Sequence, residues 1–213
     1  MRRVASVAVV IPAHNAAPFL QVTIDSLQQQ TVAPEQVVVV DDGSTDDTAA
    51  IAERNGVLCL RQDRAGPGAA RNRALASCKT EFVAFLDAED WYALDKIERS
   101  LEHLQELGAS CVATDAWLVS GDRVERRRHH GRVVPTVLTL ETLLAGNRVV
   151  NSTAVCRSEA ARSVGGFDES PELIGVEDYD FWLRMAQREP ISYLAEPLTF
   201  YRAHDDGLSD RGR

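Results

Sequence analysis

The order of apolar and amphipathic segments in the first 92 residues limits the fold more than any other feature. Short β-branched runs at 4–11, 36–40, 57–60 and 81–86 alternate with segments of helical spacing. Continuous apolar runs are typical of parallel strands, which are buried on both faces by the helices between them. The sequence therefore predicts an α/β fold with a Rossmann-like mixed, mostly parallel sheet flanked by helices.

The chain after residue 92 departs from this alternation. Strands are expected at 111–119, 149–157, 191–194 and 198–201, with a hairpin turn at 121–122. Earlier in the chain, Ser44 with Asp47 three residues on resembles a helix N-cap. No Pro/Gly/Ser linker separates the two halves, and 213 residues suit one large domain, so we expect a single domain.

Charge and cysteine content exclude several classes of function. The net charge of -9 argues against a nucleic-acid surface. The basic segment at 123–132 is expected to be a solvated loop, with contact to an anionic acceptor or a membrane as the alternative. The four cysteines show no C-x-x-C spacing, which favours a reducing cytoplasmic location. The longest apolar run, 7–13, is too short to span a bilayer, and no secretory segment opens the chain.

Three carboxylates follow the fourth strand directly: Asp87, Glu89 and Asp90. Their mutual repulsion and desolvation are costly, and Mg²⁺ or Mn²⁺ relieves both when substrate phosphates complete its ligand shell. Ligands of open α/β sheets bind at the carboxyl ends of the strands. The stretch indicates a metal–diphosphate site, and a solvated acidic turn before the next helix is the alternative.

Two other strands of this sheet also end in polar residues. The first ends in 13–15 (Ala-His-Asn), and the second ends in Asp41 and Asp42. A carboxylate there can accept a hydrogen bond from a base N–H, and Arg71, after the glycine loop, can reach a base or a phosphate. The alternatives are helix capping for the two aspartates and a surface salt bridge for Arg71.

The second half carries further candidates. Glu177 and Asp178 fall in the first turn of a helix, where the macrodipole stabilises their charge. The functional alternative is a general base that takes a proton from an attacking sugar hydroxyl. Trp182 lies on the apolar face of that helix and is expected in the core. His204 follows the last strand and is a candidate metal ligand, because neutral imidazole binds Mn²⁺.

Taken in order, these motifs resemble family 2 glycosyltransferases, which have the GT-A fold. The matching segments are 9–15, 40–46, 66–72, 85–92, 164–169, 177–178 and 201–204. The resemblance implies a single domain over 1–213, in which about 1–92 bind a nucleotide-sugar and about 93–213 bind the acceptor.

The resemblance also implies a role for each matching residue. Asp178 matches the catalytic base of an inverting transfer. The third position of the D-x-D motif is Glu89, which would bind Mg²⁺ or Mn²⁺, and His204 lies in a segment that closes over the diphosphate. The donor would be held by residues of the strand ends and the glycine-loop helix, namely Pro12, Ala13, His14, Asp42, Arg71 and Asp87.

The implied partners are a nucleotide-sugar, foremost a UDP-sugar, and a carbohydrate, lipid-linked or small-molecule acceptor. Nucleic acid is not expected, and peripheral contact with the inner face of a membrane is allowed. The family usually has Asp at the position of Glu89, so the alternative is a catalytically inactive nucleotide-sugar-binding or scaffold protein. A nucleotidyltransferase is disfavoured, because residues 11–18 lack a glycine- and lysine/arginine-rich phosphate loop.

Overall fold

The structure, a computed structural model, describes residues 5–203 except 122, 130 and 132. Within these residues ten strands form one sheet. In chain order they are β1 (Val7–Ala13), β2 (Gln36–Asp42), β3 (Leu58–Gln62), β4 (Phe82–Phe85), β5 (Trp91–Tyr92), β6 (Cys111–Ser120), β7 (Arg123–Arg127), β8 (Val137–Leu138), β9 (Val155–Arg157) and β10 (Ile191–Arg202). The helices are α1 (Leu20–Gln28), α2 (Thr48–Arg54), α3 (Pro67–Ser77), α4 (Lys96–Leu107), α5 (Leu140–Leu144), α6 (Ser158–Ser163) and α7 (Glu177–Arg188).

The sheet has the order β3-β2-β1-β4-β9-β6-β10-β5, and β7 and β8 pair with β6 and β10. β3, β2, β1 and β4 are parallel, as are β6 and β10. β9 runs antiparallel between β4 and β6, so β4 and β6 point the same way. The predicted mixed, mostly parallel sheet is confirmed, and its parallel strands end along one rim.

Helices cover both faces of this sheet. On one face, Phe85 of β4 packs edge-on against three aromatic rings of the second half, with centroids 5.3–5.8 Å away: Phe167, Phe181 and Trp182. On the other face, the buried side chains of α1 and α4 pack against β1 and β4. Trp182 is fully buried, which confirms its expected place in the core. No helix of the described residues is long and apolar enough to cross a bilayer.

The second half differs from the sequence-based expectation in two places. Most of the strand expected at 149–157 is absent, because Asn151–Thr153 forms a 3₁₀ turn and only β9 is extended. The two strands expected at 191–194 and 198–201 are one strand, β10, whose pairing with β6 shifts register on either side of Pro197. Proline cannot donate a ladder hydrogen bond, so it marks an irregularity rather than the end of the strand.

The N-cap predicted at Ser44 is wrong, because α2 begins at Thr48. Ser44 Oγ instead accepts a hydrogen bond from the Asn15 N–H at 2.9 Å, and the Ser44 N–H donates to Asp41 Oδ1 at 3.0 Å. The loop after β2 is therefore tied to the end of β1.

Lys96, the first residue of α4, is fully buried. Its Nζ donates to the Thr153 carbonyl at 2.6 Å and to Ser100 Oγ at 3.0 Å. Burial lowers the pKa of Lys96 to about 7, although the nearby thiols of Cys111 and Cys156 oppose the shift. Folding therefore favours the neutral amine over the ammonium.

We expect Lys96 to make the protein more stable as pH rises. Between pH 7 and the unfolded-state pKa of about 10.4 the unfolded chain binds more protons, so stability increases with pH by up to about 1.4 kcal/mol per unit. Lys96→Met should remove this increase, measured as urea unfolding free energies from pH 7 to 8.5. The exposed Lys79→Met is the control. Equal slopes in wild type and Lys96→Met would contradict the assignment.

Candidate active site

The glycine loop before α3 sets the position of Arg71. Gly66 has a φ of 96°, which favours glycine, and Pro67 starts the helix. A Cβ at Gly68 would lie 2.7 Å from the carbonyl oxygen of Asp168, so a side chain there would push α3 away from that segment. Arg71 follows on the side of α3 that faces the sheet.

Arg71 joins two parts of the chain that are distant in sequence. Its Nη2 lies 2.7 Å from Asp87 Oδ1, and its Nη1 lies 2.6 Å from Glu177 Oε1. The guanidinium also stands over the Phe167 ring, 5.3 Å from the centroid. Arg71 is only 4% exposed, so this is a buried network rather than the surface salt bridge of the alternative reading.

The electrostatics of this network favour a charged Arg71. Burial alone would lower its pKa, but the carboxylates of Asp87 and Glu177 outweigh burial and raise the pKa of Arg71 above its ordinary value. Asp178 adds a third carboxylate to the same neighbourhood. One guanidinium therefore faces three acidic groups, which suits a site that also receives a cation.

Asp178 lies next to Glu177 in the first turn of α7 and is partly buried. Its Oδ1 accepts a hydrogen bond from the Tyr179 N–H at 2.7 Å. Burial raises the pKa of Asp178 to about 6; Arg71 opposes the shift, and Glu177 and Asp87 add to it. A carboxylate with this pKa is a competent proton acceptor near neutral pH.

Hydrogen bonds of the backbone N–H and of one carboxylate oxygen hold Asp87 in place. Its N–H donates to Ser152 Oγ at 3.0 Å, and Oδ1 accepts from Asn151 Nδ2 at 3.1 Å as well as from Arg71. Among the described residues, the hydrogen bonds to this carboxylate fall on Oδ1, which leaves Oδ2 for a cation.

Asp87 and the partly exposed Glu89 form a pair of hard oxygen donors at the end of β4. The described residues contain no group of three or more His, Cys, Asp and Glu side chains that could hold a metal ion. Mg²⁺ is commonly bound by one or two carboxylates plus substrate phosphates, so the pair fits a metal that arrives with a diphosphate. His204, the other candidate ligand, lies outside the described residues.

Asp90 does not belong to this rim, contrary to the grouping expected from sequence. It is fully buried, and its carboxylate accepts hydrogen bonds from the Arg202 N–H at 2.9 Å and from Ser152 Oγ. Burial, with the charge of Asp87, raises the pKa of Asp90 well above its ordinary value. Asp90 therefore ties β10 to the turn that supports Asp87.

The structure brings together the predicted donor residues of β1 and β2. Pro12 and Ala13 end β1, which pairs in parallel with the end of β2. His14 Nδ1 lies 2.8 Å from the carbonyl oxygen of Asp42 and donates to it. The four residues form one side of the rim.

The Asp42 carboxylate is engaged within the protein. It accepts hydrogen bonds of 2.8 Å each from Gln62 Nε2 and from the N–H groups of Ala65 and Gly66. These hydrogen bonds fix the loop that leads into α3. They are therefore close to the helix-capping role that is the alternative for Asp42.

Sequence reasoning missed two residues of this network, Asn151 and Ser152, because it predicts a strand over 149–157. The sequence indicates Glu177 as a general base or as a charge at a helix N-terminus, and not as the partner of Arg71. Phe167 lies in the segment 164–169 that matches the family, but the match assigns no role to its ring.

Two solved structures share this architecture. S. aureus TarS 1-349 in complex with UDP matches with a TM-score of 0.74 and 25% sequence identity, covering 93% of this chain and 60% of that chain. The mannosyltransferase PcManGT from Pyrobaculum calidifontis, in complex with GDP-Man and Mn²⁺, matches in fold with a TM-score of 0.73 at 19% identity, covering 97% and 59%. The expected GT-A fold is thus confirmed.

The family follows from the sequence comparison. The model of Glycosyl transferase family 2 matches residues 8–164, so the chain belongs to this family. The pre-mycofactocin glycosyltransferase of Mycobacterium tuberculosis is 33% identical over 207 residues, which are 89% of this chain and 42% of that protein. The chondroitin synthase of Escherichia coli is 27% identical over 200 residues, 91% of this chain and 28% of that protein. The chain thus spans less than half the length of either relative.

We expect Arg71→Lys to destabilise the fold, because a single ammonium cannot make the two-sided contact of a guanidinium. One buried carboxylate would lose its partner, at a cost of about 3–5 kcal/mol. The measurement is the urea unfolding free energy. The control is Arg61→Lys, whose ion pair with Glu53 is exposed and worth about 0–1 kcal/mol. Equal losses in the two variants would contradict the network.

Proposed function

We propose that the chain transfers a sugar from a nucleoside-diphosphate sugar, foremost a UDP-sugar, to an acceptor hydroxyl with inversion at the anomeric carbon. The observation that carries the proposal is the bridge of Arg71 between Asp87 and Glu177, which sets Asp178 beside the strand-end rim. The UDP and GDP-Man complexes of the structural neighbours support a nucleotide-sugar donor.

In this proposal the two parts of the domain divide the substrates. About 1–92 bind the donor, with Pro12, Ala13, His14 and Asp42 near the nucleoside. About 93–213 bind the acceptor, and α7 brings the reacting group between them. Arg71 lies near the base in this proposal, and its two ion pairs also orient the carboxylates of Asp87 and Glu177.

Asp178 acts as the general base. An acceptor hydroxyl is a weak nucleophile, and its attack becomes feasible when a carboxylate takes its proton in the transition state. The O–H bond breaks toward Asp178, a new C–O bond forms at the anomeric carbon, and the bond to the diphosphate breaks on the opposite face. The raised pKa of about 6 makes Asp178 a stronger base than an ordinary aspartate.

Asp87 and Glu89 would hold Mg²⁺ or Mn²⁺, and His204 is proposed as a further ligand. When bound, the ion neutralises the charge of the leaving diphosphate. The Mn²⁺ complex of PcManGT supports a divalent cation for this fold. The backbone bond from Asp87 to Ser152 and the bond from Asn151 fix the first carboxylate before the substrate arrives.

The proposed acceptor is a hydroxyl of a carbohydrate, of a lipid-linked molecule or of a small molecule. We also propose a cytoplasmic location and contact with the inner face of a membrane. A catalytically inactive nucleotide-sugar-binding or scaffold protein is the alternative, and an assay of sugar transfer by the wild type separates it from an enzyme.

Asp178→Asn should reduce sugar transfer by about 10²–10⁴-fold, because it removes the proton acceptor. UDP affinity, measured by calorimetry, should stay unchanged. The control is Asp180→Asn on the same helix, where the carboxylate pairs with Arg184. Retained transfer in Asp178→Asn would refute the base. Absence of transfer in the wild type with intact UDP binding would favour the inactive protein.

The rate of transfer should rise with pH around 6 and level off above it. The base works only when deprotonated, and its pKa is about 6. The measurement is kcat/KM for the acceptor from pH 5 to 8. A rate that is flat across this range would contradict the assignment.

Glu89→Gln should weaken the Mn²⁺-dependent part of UDP binding, because a neutral amide is a poorer ligand for a hard cation. We expect at least a tenfold loss, about 1.4 kcal/mol, in titrations with Mn²⁺ compared with EDTA. The exposed Glu102→Gln on α4 is the control. Unchanged metal dependence in Glu89→Gln would exclude this residue as a ligand.

A further inference from the structure

A cavity lies beside the strand-end rim, where β6, β7 and β10 meet. Its volume is about 210 Å³, far more than the roughly 30 Å³ of one water molecule. Its walls combine charged, aromatic and apolar side chains, chiefly Asp115, Arg127, His129, Val134, Tyr193 and Ala195. None of these residues takes part in the site described above.

The charged wall is a fixed ion pair. Asp115 is buried, and its Oδ2 accepts a hydrogen bond from Arg127 Nε at 2.9 Å. Its Oδ1 accepts from the Ala116 N–H at 2.9 Å, and Arg127 Nη2 also donates to the Ala195 carbonyl. An arginine has five N–H donors, so Arg127 keeps donors beyond these contacts. The net charge of the Asp115–Arg127 pair is close to zero, yet Arg127 can still donate hydrogen bonds.

His129 presents a hydrogen-bond acceptor. Its Nε2 lies 3.1 Å from the Arg148 carbonyl, which can only accept, so Nε2 carries the proton. Burial lowers the pKa of His129, although the hydrogen bond to the Arg148 carbonyl and the charge of Asp115 oppose the shift. The ring is therefore neutral near pH 7, and its Nδ1 has a lone pair to offer. In the described part of the chain, this buried Nδ1 has no hydrogen-bond partner.

Tyr193 presents a second unpaired polar atom. The residue is 2% exposed, its ring packs edge-on against His129 at 5.9 Å, and its Oη has no hydrogen-bond partner within residues 5–203 as described. A buried polar atom left unpaired costs about 1–3 kcal/mol. The two residues that carry these atoms both line the cavity, which makes a polar molecule the fitting occupant.

The cavity is close to the proposed transfer site. Asp115 is on the same side of the sheet as Cys111 and Ala113, which share their core cluster with Phe85 and α7. The carbonyl of Arg148 contacts His129, and three residues later Asn151 contacts Asp87. Three residues of extended chain span at most about 11 Å. The cavity therefore adjoins the rim on the side of the acceptor half.

We propose that this cavity is an acceptor subsite that holds a neutral polyhydroxylated group, a sugar ring or a polyol. One hydroxyl donates to His129 Nδ1, and others bond to Tyr193 Oη and to the remaining N–H groups of Arg127. The inference rests on the proposed function. A carboxylate or phosphate fits less well, because Nδ1 carries no proton to donate and burial resists adding one.

The test is binding without turnover. The protein, saturated with UDP, is titrated with the methyl α-glycosides of glucose, galactose and mannose, and separately with glucuronate and glycerol phosphate. The ring nitrogen shifts of His129 and calorimetry report binding. At least one neutral glycoside should bind and shift Nδ1. His129→Phe and Tyr193→Phe should each weaken that binding at least about fivefold.

The controls separate the subsite from general effects. His103→Phe makes the same change on α4, which packs on the opposite face of the sheet, and should bind glycosides like the wild type. Tyr193→Phe removes only a hydroxyl that has no partner among the described residues, so its thermal unfolding temperature should equal or exceed that of the wild type.

Three results would overturn the subsite: no neutral glycoside binds, binding is the same in both cavity variants, or only the anionic probes bind. These results are independent of UDP affinity and of the Asp178→Asn assay. If glycoside binding depends on His129 and Tyr193, the subsite is supported even when the protein transfers no sugar. If transfer depends on Asp178 but no glycoside binds in the cavity, the proposed function is supported and the subsite is refuted.

Discussion

The paired contacts of Arg71 with Asp87 and Glu177 are the interaction on which the site depends. A buried guanidinium is tolerated only when carboxylates compensate its charge, and here the two carboxylates come from the end of β4 and the start of α7. The contact is possible because Gly68 lets α3 lie against the 167–168 segment. The glycine at position 68 thereby allows Arg71 to join Asp87 and Glu177, which are about 90 residues apart in the sequence.

The same bridge sets the chemistry of its neighbours. Three acidic groups share one guanidinium, and burial raises the pKa of the third, Asp178, to about 6. Beneath this layer Asp90 and Lys96 are buried without such compensation by an opposite charge, and the pKa of each shifts toward the neutral form. The folded protein therefore favours the charged form of Arg71 at the rim and the neutral forms of Asp90 and Lys96 beneath it.

The sequence predicted the first four strands and the shared rim well. β-branched runs buried on both faces leave a local signal, and parallel strands bring their carboxyl ends together. The turn at Asn151–Thr153 was not predictable, because its shape depends on contacts with Asp87 and Asp90 rather than on local preference. Pro197 made the single strand β10 look like two strands in the sequence. The sequence does not show that the pairing of β10 with β6 shifts register around this proline and then continues.

The candidate site was predictable in outline only. Sequence selected Arg71, Asp87 and Asp178, but could not show that Arg71 is buried or that Glu177 is its partner. Asp90 follows Glu89 directly, and only the turn geometry sends its side chain inward. The cavity at His129 and Tyr193 joins residues 64 positions apart, with no motif to connect them.

The most direct test of the bridge is a double-mutant cycle on unfolding free energy with Asp87→Asn, Glu177→Gln and the double variant. Each single variant keeps one of the two ion pairs of Arg71, whereas the double variant keeps neither and leaves the buried charge facing Asp178 without an ion pair. The loss in the double variant should exceed the sum of the single losses by about 1–3 kcal/mol. Losses that add within about 0.5 kcal/mol would show that the two carboxylates act independently, and the bridge would not hold the site together.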